Sequence, residues 1–185
     1  RLVLLAALND HIEMPEPTVG ADRYRTVYDA IHDLPSLEAG QKDDDDSLHF
    51  ARNLSPTNLK RAHASKPGGT WEDWPEELRA PCQTRDSGKS FKSFYGRMEW
   101  NKPSPTITTQ SYNPGAGRFP HPAQDRALTL REASRLQGFP DSFVFTGPSE
   151  KITLSTVGRL IGNAVPPVFG KAIARQFIKT LDDRK

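Results

Sequence analysis

From Pro67 to Ala123 the chain cannot run straight for long. Lys66-Pro-Gly-Gly69, Trp74-Pro75, Asn101-Lys-Pro-Ser-Pro105 and Asn113-Pro-Gly-Ala-Gly117 interrupt it at short intervals. Proline fixes φ and lacks an amide donor, and glycine admits turn conformations closed to other residues. Long helices and long strands do not fit between such breaks. The stretch predicts an irregular lobe with short β-prone pieces, notably Thr106-Ile-Thr-Thr109.

More regular text flanks it. Arg1 to Leu8 is apolar after its first residue and reads as a strand buried on both faces. Thr26 to Leu34 places Val27, Ile31 and Leu34 on one helical face and is closed by Pro35. Asp43 to Asp46 is too charged to pack and predicts a flexible, solvated acidic loop without a partner. Thr129 and Glu132 form a capping box ahead of Leu130, Ala133 and Leu136, with Gly138 and Pro140 as the stop. Phe143-Val-Phe145 has strand composition. Ser155 or Thr156 is placed to cap a helix through Val157, Leu160 and Ile161, broken at Pro166-Pro167. Pro167 then suits the first turn of a last helix, Val168 to Leu181, with Phe169, Ile173, Phe177 and Leu181 along its buried face.

Composition sets limits. With 185 residues, 35% of them apolar, the chain suits one medium domain, or a domain plus a small lobe. The longest apolar run, Leu2 to Leu8, is far short of the roughly 20 residues that span a bilayer. A single cysteine, Cys82, excludes an intramolecular disulfide and a cysteine-based zinc cluster, and fits a reducing compartment. The five histidines show no metal-ligand spacing, and neither a Walker loop nor a Gly-x-Ser-x-Gly elbow is present.

Charge is lopsided: residues 1–50 carry a net −7 and residues 51–185 a net +9. Between Arg79 and Arg135, 10 basic residues face 4 acidic ones, interleaved with Phe91, Phe94, Tyr95, Trp100, Tyr112 and Phe119. Cations that neutralise phosphates and rings that stack on bases make such a stretch a candidate nucleic-acid surface.

Two segments carry a resemblance. Arg126-Ala-Leu-Thr-Leu-Arg-Glu-Ala-Ser-Arg-Leu-Gln-Gly-Phe-Pro-Asp141 and Ile161-Gly-Asn-Ala-Val-Pro-Pro167 resemble motifs IX and X of the DNA (cytosine-5)-methyltransferases. Tyr95-Gly-Arg-Met98, Pro103-Ser-Pro-Thr-Ile-Thr-Thr109 and Gly117-Arg-Phe119 are similar to the target-recognition region of the bacterial enzymes. Thr26-Val-Tyr-Asp-Ala-Ile31 with Asp33-Leu-Pro35, and Leu54-Ser-Pro56, resemble the sequence leading to it, and Arg1-Leu-Val-Leu-Leu5 resembles the end of motif VIII.

The resemblance implies an α/β (mixed) class. An irregular target-recognition lobe with short strands would be joined to C-terminal helices that complete a Rossmann-like, S-adenosylmethionine-dependent methyltransferase domain. Residues 1–10 would be the last strands of the catalytic domain, 11–125 linker and target-recognition domain, and 126–185 motifs IX and X. It further implies a role in sequence-specific binding of double-stranded DNA and in methyl transfer to carbon 5 of cytosine. S-adenosyl-L-methionine would be the cofactor, shared with an N-terminal catalytic part, in the bacterial cytoplasm. Because the chain starts at Arg1 without methionine, we read its start as the point where a longer polypeptide was cut or processed.

Residue by residue, Arg1 corresponds to the arginine that contacts the target cytosine, and Asn163, Ala164 and Val165 to one wall of the cofactor pocket. Thr106 and Ile107 correspond to the recognition-lobe pair beside the flipped base. Lys89, Lys92, Arg97, Lys102 and Arg118 are candidates for DNA contacts, through phosphate or base. Arg131 and Arg135 are expected to brace the recognition lobe against the catalytic domain. The family's glycine loop and Glu-Asn-Val motif are absent here. Pro81-Cys82-Gln83 matches the nucleophile tripeptide in letters but stands between motifs VIII and IX, so Cys82 is expected to be an ordinary loop cysteine. The chain alone is then expected to be inactive, to expose an apolar face and to dimerise through it. The alternative reading is a stand-alone DNA-binding module or specificity subunit without catalysis of its own.

Overall fold

Local capping chemistry sets most of the regular structure in the computed structural model, which describes residues 3–8, 11–85 and 92–182. Six α-helices occur among them: α1 (Val27–Ile31), α2 (Pro56–Ala64), α3 (Pro81–Thr84), α4 (Leu130–Leu136), α5 (Leu154–Asn163) and α6 (Pro167–Asp182). The chain divides into two compact units, Arg25–Ala164 and Arg1–Tyr24 with Val165–Lys185. The sequence boundary at residue 125 is therefore not a boundary between these units.

Within Arg25–Ala164, α1 starts at a capping box in which Thr26 accepts from the Asp29 amide and Asp29 accepts from the Thr26 amide. Two further N–H groups of its first turn, on Val27 and Tyr28, donate to the carbonyls of Lys102 and Trp100, each at 2.9 Å. The orphan donors of the helix start thus pin the 100–102 segment. The capping box at Thr129 and Glu132 forms as expected, and Gly138 follows α4 at φ +89°. Such a cap stabilises by about 1 kcal/mol.

The core of this unit joins Val27 and Ile31 of α1, Leu130 and Ala133 of α4, and Val157 and Ile161 of α5. Leu48, Met98, Ile107, Phe119 and Leu128 come from the connecting segments. An irregular lobe therefore has a continuous apolar centre built by three short helices.

Several expectations are corrected. Residues 3–8 form no strand, and Leu4 and Leu8 are exposed, there being no neighbouring strand among the described residues to ladder with. Thr106–Thr109 and Phe143–Phe145 are not strands either. Pro103 and Pro105 remove ladder donors before the first, and the rings of the second cluster on Phe139 with centroids 4.8–4.9 Å apart. β-type pairing is limited, among the described residues, to the isolated bridges Lys42–Phe50, Pro67–Arg97 and Pro120–Ala127.

The cap of α5 is Thr153, not Ser155 or Thr156: its hydroxyl accepts from the Thr156 amide at 3.1 Å. Leu160, expected inside, is exposed. In the other unit, Pro167 does open α6, but no described residue of that helix is buried. Phe169, Phe177 and Leu181, placed on its buried face by periodicity, lie exposed beside Val168 and Ile178. No helix among the described residues is long and apolar enough to cross a membrane.

Candidate functional site

The motif IX segment is a set of committed charges. Arg126 is fully buried and donates from both terminal nitrogens to Glu132, at 2.8 and 2.7 Å, while its Nε donates to the Leu37 carbonyl at 3.0 Å. Glu132 also accepts the Thr129 amide at 2.8 Å. Burial pushes the Glu132 carboxyl up, but the Arg126 hydrogen bonds and charge outweigh it and hold the group below its usual range. The ion pair is thus also the capping box of α4, so one glutamate ties helix start to helix support.

Two buried histidines complete this network. His121 accepts from the Ala123 and Gln124 amides at Nδ1, and its Nε2 lies 3.7 Å from Glu132. Burial drives its pKa down to about 4 against the attraction of Glu132, so it is neutral at pH 7. His49 Nε2 is 2.9 Å from the Pro35 carbonyl and its Nδ1 3.0 Å from the Thr129 hydroxyl. A carbonyl only accepts, so His49 donates from Nε2 to Pro35.

Arg131 reaches back to Asp46, with Nη2 3.0 Å from Oδ1, and to the Asp141 carbonyl at 3.0 Å. Arg135 holds Asp141 with two hydrogen bonds of 2.8 and 2.6 Å and Asp33 with a third of 2.7 Å. Both arginines brace α4 against segments of its own unit. The acidic loop is corrected accordingly: Asp46 is a partner of Arg131, and the Asp43 carboxylate accepts the amides of Asp45 and Asp46.

The expected DNA contacts occupy unequal positions. Arg97 is buried and donates from Nη2 to the Ala62 carbonyl and to Asp125, the latter at 2.6 Å, while its Nε is buried without a partner among the described residues. Ile107 is buried in the core while Thr106 is exposed, as an extended segment alternates its side chains. Lys92 is exposed and paired with Glu72 at 3.1 Å. Lys102 and Arg118 are exposed and, with Arg97, line one hollow of about 270 Å³ whose wall includes Glu99, Pro103 and Pro105. Arg1 and Lys89 lie outside the described residues. Cys82 is exposed on α3.

A larger hollow of about 880 Å³, between Leu37, Leu59, His63, Leu78 and Asp125, contains none of the residues expected from sequence. Its size does not make it the site, since the basic residues and the motif segments lie elsewhere.

Motif X begins at the end of α5. A Cβ on Gly162 would lie 2.2 Å from the Thr109 nitrogen, and one on Gly158 would lie 3.2 Å from the Thr109 carbonyl oxygen. Glycine at these places is what lets α5 rest on the backbone of the Thr106–Thr109 segment. The helix end is closed by Gln137, whose buried amide donates to the carbonyls of Ile161 at 3.1 Å and Ala164 at 2.7 Å. Asn163 is exposed, as is Val165.

Sequence reasoning missed Gln137, Glu99 and the seat at Gly162. A buried amide three residues before Pro140 has no local signature. Glu99 was counted only as an acid within a basic stretch, and Gly162 only as part of a turn.

The family model for C-5 cytosine-specific DNA methylases matches residues 1–179. The chain belongs to that family. Its relatives among C-5 DNA methylases include the Type II methylase M.HgiDII of Herpetosiphon aurantiacus, 49% identical over all of this chain and 53% of that protein. DNA (cytosine-5)-methyltransferase 1A of Oryza sativa subsp. japonica is 33% identical over 86% of this chain and 13% of its own length. Type II methyltransferase M.AquIB of Picosynechococcus is 33% identical over 70% of this chain and 88% of its own length. The chain thus spans about half of M.HgiDII and a small part of the plant enzyme. In fold, this C-5 methylase chain resembles a crystal structure of a putative DNA modification methyltransferase encoded within an E. coli prophage. The TM-score is 0.53 and the identity 21%, over 84% of this chain and 47% of that one.

Proposed function

We propose that this chain is the C-terminal portion of a DNA cytosine-5 methyltransferase, supplying sequence-specific recognition of double-stranded DNA and one wall of the S-adenosylmethionine pocket. The observation that carries the reading is the clustering of Lys102 and Arg118 on one exposed hollow, within a chain whose family match runs over residues 1–179. Most other arginines of the motif segments are bound to carboxylates of their own unit. Cations left on the surface are those available to phosphates and bases. Residues 11–125 would then be linker and recognition lobe, and residues 1–10 and 126–185 would belong with the catalytic part.

The donor set at the end of α5 fits the cofactor. The Asn163 side chain is exposed and makes no hydrogen bond among the described residues, so its amide is able both to donate and to accept. Asn163 would hold the cofactor there, and Val165, which falls in the other unit, is proposed for cofactor binding from the motif resemblance alone. The Ala164 carbonyl is already bonded to Gln137, which leaves Ala164 as support. S-adenosylmethionine, when bound, supplies the methyl group. What these residues contribute is binding and orientation, with the nucleophile expected in the N-terminal partner and Arg1 at the target cytosine.

Two measurements test this. Fluorescence anisotropy should show the chain binding duplex DNA, with Lys102→Ala lowering the slope of log affinity against log salt by about 1. Labelled methyl transfer by the chain alone should stay at background and be unchanged in Cys82→Ser. Absence of DNA binding would overturn the recognition role, and transfer abolished by Cys82→Ser would make Cys82 the nucleophile.

A further inference from the structure

Glu99, Lys102 and Arg118 line the same 270 Å³ hollow, yet the acid pairs with neither base. No side-chain hydrogen bond or ion pair formed by the described residues involves any of the three. This sets them apart in a unit where Arg97, Arg126, Arg131 and Arg135 are each bonded to a carboxylate. Opposite charges held around one space without collapsing onto each other leave room for a ligand that presents both donors and acceptors.

Two glycines seat the side chains. A Cβ on Gly96 would lie 2.8 Å from Arg118 Cγ, so the arginine stem runs where any other residue would stand. A Cβ on Gly68 would lie 2.8 Å from Glu99 Cδ and 2.9 Å from its Oε1, and Gly68 has φ +74°. The two seats are tied together: the Gly68 amide donates to the Arg97 carbonyl at 3.0 Å, and Pro67 bridges to Arg97. The backbone segments carrying the two side chains thus meet at Arg97, a buried arginine that is itself anchored.

The hollow is below the roughly 300 Å³ of ordinary small-molecule pockets, which suits the edge of a larger molecule. A carboxylate repels phosphate, so the Glu99 side of the hollow is not a phosphate seat. In the major groove, guanine presents two adjacent acceptors, O6 and N7, while its cytosine partner presents the N4 amino donor. A guanidinium fork matches the first and a carboxylate the second. On adenine the fork would meet the N6 donor beside N7, which disfavours A·T.

We infer that Glu99 and Arg118 together read one G·C base pair, Arg118 donating to guanine O6 and N7 and Glu99 accepting from cytosine N4, with Lys102 on the adjoining phosphate. The inference rests on the DNA-recognition reading above and adds the base pair and the acidic reader.

The experiment is selection from a duplex pool with a randomised central window, by the 185-residue chain and its Glu99→Gln and Arg118→Lys variants. Arg118→Lys keeps the charge and loses the fork. The expected result is a selected site with a fixed G·C pair at which both variants lower the preference about tenfold or more. Thermal melting should be unchanged. Variants that act at different base pairs, that leave the site unaltered, or that weaken binding equally for all sequences overturn the inference. So does a Glu99→Gln chain that melts early, since Glu99 would then serve the fold. Wild-type binding without sequence enrichment overturns base reading and leaves DNA binding standing, whereas no binding overturns both.

Discussion

His121 shows how far a single side chain departs from its sequence-level identity. As one of five scattered histidines it carried no signal, but burial beside Arg126 and Glu132 holds it neutral with a pKa of about 4. An unfolded histidine takes up a proton near pH 6.5, so between these values the unfolded state binds more protons than the folded one. Stability is fully present above about pH 6.5 and falls as pH drops toward 4, by up to about 3 kcal/mol. Urea unfolding at pH 7, 5.5 and 4.5 checks this, and His121→Gln should flatten the slope. A wild-type slope confined below pH 4 would assign the loss to carboxylates instead. Arg126 and Glu132 were legible as neighbours in a motif, but not as a buried pair, because burial depends on Leu37 and the His49 segment folding over them.

Among the elements, the glycines of α5 and α6 separate two meanings of one residue type. Gly162 lies against the backbone of Thr108 and Thr109, so Gly162→Ala forces α5 away from that segment at a cost of about 1–3 kcal/mol, despite the better helix propensity of alanine. Gly170 of α6 has nothing within 4 Å of a built Cβ, so Gly170→Ala should stabilise by about 0.5–1 kcal/mol. Opposite shifts in the urea midpoint are expected, and a shared sign would contradict the packing described here. The helices themselves were largely readable. Thr26, Thr129 and Pro167 act within one turn, and their helices begin where the letters say. The strands were not, since a strand needs a partner and composition cannot supply one: Thr106–Thr109 is pinned by α5, and Phe143–Phe145 by a ring cluster. α2 was missed although Ser55-Pro56 is a cap followed by an N1 proline.

At the scale of the unit that carries it, α6 presents exposed apolar residues. Val168, Ile178 and Leu181 are each more than half exposed, and such a face binds hydrophobic dyes. The chain should enhance anilinonaphthalene sulfonate fluorescence, and Val168→Glu with Ile178→Glu should reduce it while far-UV circular dichroism is kept. Fluorescence unmoved by the double variant would place the dye elsewhere.

Two motifs of fixed order were enough to identify the family, and the starts of α1, α4 and α6 were legible because capping and proline chemistry act over three or four residues. The sequence by itself also determined that residues 67–123 would be irregular. Only the tertiary structure decided which charges are spent and which are available. Arg131 of α4 and Asp46 are 85 residues apart in sequence and meet in the fold, Arg97 is buried against Asp125, and Glu99, Lys102 and Arg118 share one hollow with no side-chain pairing among the described residues. Pairing of this kind depends on distance in space and on exclusion of water, neither of which is written in the local order of residues.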